Sequence, residues 1–186
     1  MKKLIMAIAI VIAGVAANAA TFNWEVQKGY IYDGAETPAK LTSGTAYLMF
    51  TSAITQSDLV TAFAADATAA ASTVSSKAVS TGTIGSDARI ATSANFTSDV
   101  TSDQTAYFVI FNGDNMYVSI TTTAEYYAVG ESAISFASVS ASSKLSSEAS
   151  AGYSAAGWYT QSVPEPTSGL LMLLGMAGLA LRRRRA

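Results

Sequence analysis

The feature that most constrains this chain lies near its C-terminus, where an apolar run is followed by four consecutive arginines. Residues 168–181 carry no charged side chain, and Arg182, Arg183, Arg184 and Arg185 come directly after them. A helix in a soluble core normally has a polar face, whereas this run is apolar almost all round. The run is short for a bilayer core of ~30 Å, but arginine side chains can reach the interface from inside it. We therefore predict a transmembrane helix over residues 168–181, with a buried C-terminal helix as the alternative.

The segment before this run is polar and conformationally restricted. Pro164 and Pro166 flank Glu165. Each proline fixes its own φ and pushes the preceding residue toward extended conformations. We therefore expect residues 163–167 to form an extended, exposed strip that a processing enzyme can bind.

The succession of Val163-Pro164-Glu165-Pro166, a short apolar span and terminal arginines resembles the PEP-CTERM sorting signal of Gram-negative bacteria. The resemblance is confined to residues 163–186. It implies that the chain is a substrate of an exosortase, a membrane-embedded cysteine transpeptidase that cuts near the Pro-Glu-Pro motif and releases the protein or transfers it to the cell surface. It also implies an association with exopolysaccharide and biofilm systems, and it gives the chain no catalytic activity of its own.

The N-terminus has the three parts of a secretory signal peptide. Lys2 and Lys3 form a cationic start, residues 4–15 are apolar, and Ala17-Asn18-Ala19 is a small-x-small sequence. We predict that signal peptidase cuts after Ala19, with a retained signal anchor as the alternative. The basic residues at both ends then stay on the cytoplasmic side while the middle of the chain is exported. The predicted organisation is a signal peptide (residues 1–19), an exported domain (20–162) and a sorting signal (163–186).

The exported part is strongly acidic once the targeting segments are set aside. Six of the eleven basic residues lie in those segments, so five basic residues face thirteen acidic ones and the net charge is about −8, or −7 if the cut removes Glu165. An acidic surface argues against nucleic acid and against anionic lipid as partners. It is compatible with divalent cations or a hydrated polysaccharide matrix.

The chain contains neither cysteine nor histidine. The exported domain therefore has to be stable without disulfides, and the common nucleophilic hydrolase arrangements and zinc sites are excluded. Carboxylate pairs or a Ser-Lys dyad remain open, but Asp33 with Glu36 and Asp99 with Asp103 lie in predicted loops, where turn roles explain them better. We predict no enzymatic activity, no cofactor and no metal.

The mature chain shows β periodicity interrupted by one helical stretch. Phe22, Trp24 and Val26 alternate with polar residues, as in a half-buried strand. Residues 44–52 are nearly all apolar and predict a strand buried on both faces. Residues 105–111 and 116–121 flank Asn-Gly-Asp-Asn and predict a hairpin, with Phe108, Ile110 and Val118 near the core. Further strands are predicted at 74–84, near 89–94, at 125–129, 131–140 and 153–162, with a loop or helical turn at 142–150.

Residues 56–71 have the 3.6-residue period of a helix, with Ser57 or Thr55 as its N-cap. We expect this helix to cap an open end of the sheets. The predicted fold class is mainly β: a single antiparallel β-sandwich, jelly-roll or Ig-like, with one short helix. The signal-peptide helix and the C-terminal transmembrane helix come in addition.

Two functions fit these features. The first is a structural or adhesive protein of the cell surface or extracellular matrix, and the second is a surface carbohydrate-binding module. Sugar binding needs exposed aromatic rings, although the same residues could belong to the core or its rim. A small hydrolase is a third, weaker candidate. The aromatic candidates are Trp24, Tyr30, Tyr32, Trp158 and Tyr159, with Tyr126 and Tyr127 in addition.

The predicted partners follow from the same segments. Exosortase and signal peptidase act on the chain as a substrate, and the inner membrane holds the precursor before processing. Exopolysaccharide is a candidate partner of the mature protein at the cell surface or in the matrix, and nucleic acid is excluded by charge.

Overall fold

The computed structural model describes residues 20–26, 30–90, 94–127, 131–140 and 145–161. The predicted signal peptide with its cleavage site at Ala17 and Ala19 lies outside the described residues. So do the Pro-Glu-Pro motif, the predicted span at residues 168–181 and the arginine cluster. No helix within the described ranges is long and apolar enough to cross a bilayer.

Within these ranges the chain forms ten strands, two α-helices and a short 3₁₀ helix at Ala149–Ala151. The helices are α1 (Gln56–Ala65) and α2 (Ala67–Lys77). The strands are β1 (Ala20–Val26), β2 (Gly44–Phe50), β3 (Ser80–Ile84), β4 (Ala94–Ser98), β5 (Gln104–Asn112), β6 (Asn115–Val118), β7 (Thr122–Ala124), β8 (Glu131–Phe136), β9 (Leu145–Glu148) and β10 (Gly157–Thr160).

The strands form two sheets that pack face to face. The small sheet has the order β4-β1-β8, and the large sheet has the order β3-β2-β5-β6-β10-β9, with β7 also paired to β5. Rings from the two sheets meet between them, for example Phe108 of β5 and Phe136 of β8 with centroids 5.1 Å apart. The two helices cover the other face of the large sheet, and the described chain therefore has three layers.

The predicted mainly-β class is confirmed, but two of its details are wrong. The sheets are not purely antiparallel, because β1 pairs with β8 and β9 pairs with β10 in parallel. There are two helices among the described residues and not one. The assignment to a jelly-roll or Ig-like type stays a prediction.

The apolar run of β2 is buried on both faces, as its sequence predicts. Leu48 and Phe50 pack toward the small sheet, while Met49 packs toward the helices. The same division holds along β5, where Phe108 lies in the core between the sheets and Tyr107 in the core under the helices. Burial on both faces is what makes these strands read as continuous apolar runs.

The predicted hairpin is present between β5 and β6. Gly113 is the first of two turn residues and has a φ of 57°, a conformation that costs glycine little. Phe108, Ile110 and Val118 are fully buried, which confirms their predicted place in the core. Beyond Val118 the pairing with β5 shifts by one residue before β7, so residues 119–121 form a β-bulge.

The helical region differs from its prediction in length and role. Thr55 caps α1 as predicted, with its side chain accepting from the Asp58 N–H. The helix breaks at Asp66, and α2 then continues to Lys77 through residues predicted as a strand. Asp66 accepts a hydrogen bond from the Ala69 N–H and so starts a new helix in the middle of the alanine-rich stretch. The helices cover a sheet face and do not cap a sheet end.

Other strand boundaries also differ. β7 occupies Thr122–Ala124 and ends before the predicted strand at 125–129, and β9 forms at Leu145–Glu148 inside a predicted loop. The last strand is confirmed, but in the shorter form Gly157–Thr160. Short serine-rich strands such as β9 carry little apolar periodicity, so the pattern could not reveal them.

Candidate functional site

Three of the five aromatic residues proposed for sugar binding lie in the core. Trp24, Trp158 and Tyr159 are at most 1% exposed. The Trp24 indole N–H donates to Ser80 Oγ at 3.0 Å, and the Trp158 N–H donates to the Tyr32 carbonyl at 3.1 Å. Their polar atoms are thus satisfied inside the protein, and their rings have no free face to offer a ligand.

The other two, Tyr30 and Tyr32, lie at the surface. Tyr30 is 37% exposed and Tyr32 is half-buried. Their ring centroids are 6.2 Å apart and their planes are perpendicular. Two rings in this arrangement cannot both stack on one flat sugar chain. The coplanar aromatic surface that a stacking module needs is therefore not formed by this pair.

Tyr126 and Tyr127 lie elsewhere on the chain. Tyr127 is 49% exposed, and its hydroxyl donates to Glu125 Oε2 at 2.7 Å. That hydrogen bond raises the pKa of Tyr127, because the phenol donates only while it is protonated. The Tyr126 N–H is held by Asp103 Oδ1 at 2.8 Å.

Two cations lie over the Tyr30 ring. Lys40 Nζ is 3.2 Å from the ring centroid, and Arg89 Cζ is 5.1 Å from the same centroid. Both distances are within the range of a cation–π interaction. We call Tyr30, Lys40 and Arg89 the Tyr30 cluster. Lys40 and Arg89 are far apart in the sequence, so no motif pointed to them.

Backbone hydrogen bonds place Lys40 beside Tyr30. The Leu41 N–H donates to the Ile31 carbonyl at 2.9 Å, and Tyr32 and Lys40 form an antiparallel bridge. Asp33 closes the loop between them, because its Oδ1 accepts from the Ala39 N–H at 2.9 Å. The carboxylate of Asp33 therefore has a turn role, as its loop position suggested.

A strained turn places Arg89 beside the same ring. Ala88 is buried and has a φ of 60°, which non-glycine residues rarely adopt. Its carbonyl accepts from the Ile31 N–H at 2.7 Å, and the Gly85 N–H donates to the Arg89 carbonyl at 2.6 Å. These two bonds hold the turn in its unfavourable conformation and fix where Arg89 leaves the backbone.

The charged ends of Lys40 and Arg89 have no carboxylate partner within the described part of the chain. By contrast, Lys77 Nζ donates to the Ala53 carbonyl at 3.0 Å. The two cationic groups lie over one ring and are not tied up in ion pairs there. They can accept an anionic group from outside.

The described ranges do not meet the usual requirements of a metal site. No group of three or more His, Cys, Asp or Glu residues is placed there to hold a metal ion. Ser119 is a buried polar side chain. Its hydroxyl accepts from the Phe108 N–H and donates to the Ile120 carbonyl, so it is occupied by a structural role.

Comparison with known proteins bears on the C-terminus. Residues 162–185 match the family model of the PEP-CTERM protein-sorting motif. No curated protein and no solved structure matches the chain.

The match confirms the sorting signal that the residues from Val163 to Arg185 predict. A protein with this signal is exported and processed at the membrane, and exosortase is its processing partner. The chain is therefore an exosortase-sorted exported protein. The described domain is the part that this signal delivers.

Proposed function

We propose that this protein is a non-enzymatic component of the cell surface or extracellular matrix of a Gram-negative bacterium, with a structural or adhesive role. The observation that carries the proposal is the PEP-CTERM signal at residues 162–185, which commits the chain to export and membrane processing. The precursor is held in the inner membrane, signal peptidase removes residues 1–19, and exosortase removes the tail.

The composition of the domain supports the non-enzymatic part of the proposal. The chain has no histidine and no cysteine, which removes the usual general base and the thiol nucleophile. Each of the two candidate carboxylate pairs has a member that accepts a backbone hydrogen bond in a loop. These members are Asp33 and Asp103. A domain built from hydroxyl-rich strands with an acidic surface suits a hydrated matrix.

The sorting step is tested by replacing Pro164, Glu165 and Pro166 together with alanine in the full chain. We expect the signal peptide to be removed normally and the C-terminal tail to remain, so that the protein accumulates in the membrane fraction. Intact mass and fractionation measure this. The control is alanine at the flanking Ser162 and Thr167, which should leave processing unchanged.

The matrix role is tested in a deletion strain. The strain should form a less cohesive matrix, and the full chain should restore cohesion whereas the Pro-Glu-Pro variant should not. Normal surface delivery of that variant would refute the sorting step. Normal cohesion in the deletion strain would refute the matrix role.

A surface carbohydrate-binding module is the second candidate, and the exposed Tyr30 cluster favours it. The perpendicular rings of Tyr30 and Tyr32 support recognition by charge and hydrogen bonds more than by stacking. A glycan array probed with the processed protein distinguishes the two candidates, since a purely structural protein should bind no glycan.

A further inference from the structure

We propose that the Tyr30 cluster binds the carboxylate groups of an acidic polysaccharide. This inference rests on the second candidate function, the surface carbohydrate-binding module, and it names the ligand class of that module. The ligand is a polymer with one carboxylate per sugar, such as a polyuronate. The bound group is the carboxylate, and its partners are Lys40 Nζ and the Arg89 guanidinium.

The spacing of the two cations fits one carboxylate. Their distances to the Tyr30 centroid, 3.2 and 5.1 Å, limit the separation of Lys40 Nζ and Arg89 Cζ to at most about 8.3 Å, their sum. A carboxylate has two oxygens and accepts charge-assisted hydrogen bonds of ~2.7–2.9 Å at each. The upper limit of about 8.3 Å is within the combined reach of two such hydrogen bonds and the carboxylate between them, so the proposed ligand group contacts both the ammonium and the guanidinium.

The cluster is preorganised by backbone contacts outside the ligand's reach. The Ile31 N–H is bound to the Ala88 carbonyl, the Leu41 N–H to the Ile31 carbonyl, and the Tyr32 N–H to the Val139 carbonyl at 3.1 Å. The segment that carries Tyr30 is thus tied to three other segments. A site whose backbone is already ordered loses less conformational freedom when a ligand binds.

The carboxylates that hydrogen bonds place nearby are Asp87, which accepts from the Arg89 backbone N–H at 3.3 Å, and Asp33, which accepts from the Ala39 N–H at 2.9 Å. Neither forms an ion pair with the Lys40 or Arg89 side chain in the described part of the chain, so an incoming anion can still pair with both cations. The Tyr30 ring keeps both cations at the surface by cation–π attraction. A phenol hydroxyl can donate and accept, so the Tyr30 and Tyr32 hydroxyls are the groups that would contact sugar hydroxyls beside the carboxylate.

The remaining charge of the domain selects against denser polyanions. The exported domain of residues 20–162 carries about −7, from twelve acidic and five basic residues, and this repels a duplex with one phosphate per ~1.7 Å of helix axis. A polyuronate has a lower charge density and presents its carboxylates singly. At physiological salt the Debye length is ~8 Å, so acidic residues farther than this from the bound carboxylate repel it only weakly. One carboxylate can therefore pair with Lys40 and Arg89 in spite of the acidic surface.

The test measures binding of the processed protein, purified from its host, to three polymers. These are polygalacturonate, its fully methyl-esterified form and neutral dextran. We expect binding to polygalacturonate alone. Lys40→Gln and Arg89→Gln should each weaken binding by about tenfold, the loss of one charge-assisted hydrogen bond. Lys40→Arg should retain most of it.

Lys77→Gln is the matched control, because it removes the same charge from α2 and should change binding less than about twofold. The proposal would be overturned if Lys77→Gln weakened binding as much as Lys40→Gln, or if the methyl ester bound as well as polygalacturonate. It would also be overturned if duplex DNA competed for the protein as well as free polygalacturonate does. An absence of polygalacturonate binding by the unmodified protein would overturn it as well. The melting temperature of each variant shows that it is folded.

Fractionation separates failure of this inference from failure of the proposed function. The Lys40→Gln and Arg89→Gln variants should reach the same surface or matrix fraction as the unmodified chain, because the sorting signal is intact. Correct delivery without polymer binding would refute the Tyr30 cluster and leave the matrix role standing. Loss of delivery would refute the independence of binding from sorting.

Discussion

At the scale of single residues, Gly34 packs directly against the Trp158 side chain. Gly34 is buried, and a Cβ built on it would lie 2.6 Å from Trp158 Cγ and 2.7 Å from Trp158 Cβ. The indole cannot easily move away, because it is fully buried between the sheets and its N–H is bound to the Tyr32 carbonyl. Gly34 is therefore required by space and not by backbone conformation.

Gly34→Ala should lower the free energy of unfolding by about 1–3 kcal/mol, the usual cost of overpacking a core. Urea denaturation measures this. The control is Gly113→Ala, where a Cβ meets nothing within 4 Å but the φ of 57° disfavours it, so about 1 kcal/mol is expected. A Gly34 variant no less stable than the Gly113 variant would mean that the core absorbs the methyl group.

At the scale of elements, the bulge after β6 decides how the large sheet ends. The extra residue of the bulge interrupts the backbone ladder opposite Phe108. The Phe108 N–H instead donates to the side-chain Oγ of Ser119 at 2.9 Å. The bulge also turns Ile120 outward, where it is 57% exposed. A small hydroxyl residue is needed at this place because the N–H it satisfies is buried.

Ser119→Ala should destabilise the domain by about 1–3 kcal/mol, because the buried Phe108 N–H loses its acceptor. Thr121→Ala lies in the same bulge, is exposed, and should change stability by less than about 0.5 kcal/mol. Thermal and urea unfolding of both variants decide the matter. Identical stabilities would indicate that water or a backbone shift replaces the serine hydroxyl.

At the scale of the whole molecule, stability depends on two cores that are formed without disulfides. Because these cores contain buried tyrosines, the free energy of unfolding should depend on pH in the alkaline range. Burial raises the pKa of Tyr117 to about 12, and burial followed by the charge of Asp58 raises the pKa of Tyr107 as well. Ionising either phenol in place would put a charge in a core.

The sign of the pH effect follows from these raised values. Above pH ~10 a tyrosine in the unfolded chain loses its proton while Tyr117 in the folded chain keeps it, so the unfolded state gains relative stability. The contribution is fully present below pH ~10 and is lost by about pH 12. For Tyr117, the difference between a pKa of 10.0 in the unfolded chain and about 12 in the folded chain corresponds to roughly 3 kcal/mol.

Urea unfolding between pH 9 and 12 should therefore show a falling free energy of unfolding. Tyr117→Phe should make the fall shallower, because this variant keeps the ring and loses the ionisable group. A Tyr117→Phe profile parallel to that of the unmodified protein would show that the hydroxyl ionises without penalty.

Much of the fold could be predicted because its strongest elements are locally consistent. β2, the β5–β6 hairpin and the Thr55 cap combine apolar pattern, turn chemistry and capping in short stretches. The break at Asp66 and the serine-rich β9 could not be predicted. A capping aspartate inside an alanine-rich run looks like a surface residue, and a strand with few apolar residues has no period to detect.

The sequence by itself determined the route of this protein. The PEP-CTERM signal is a linear pattern, which an enzyme recognises along a few adjacent residues, and the predicted signal peptide is of the same kind. Only the tertiary structure decided which aromatic residues are exposed and that Tyr30, Lys40 and Arg89 meet. Those three come from separate segments, and the contact exists because backbone hydrogen bonds from Ile31 to Ala88 and from Leu41 to Ile31 join them.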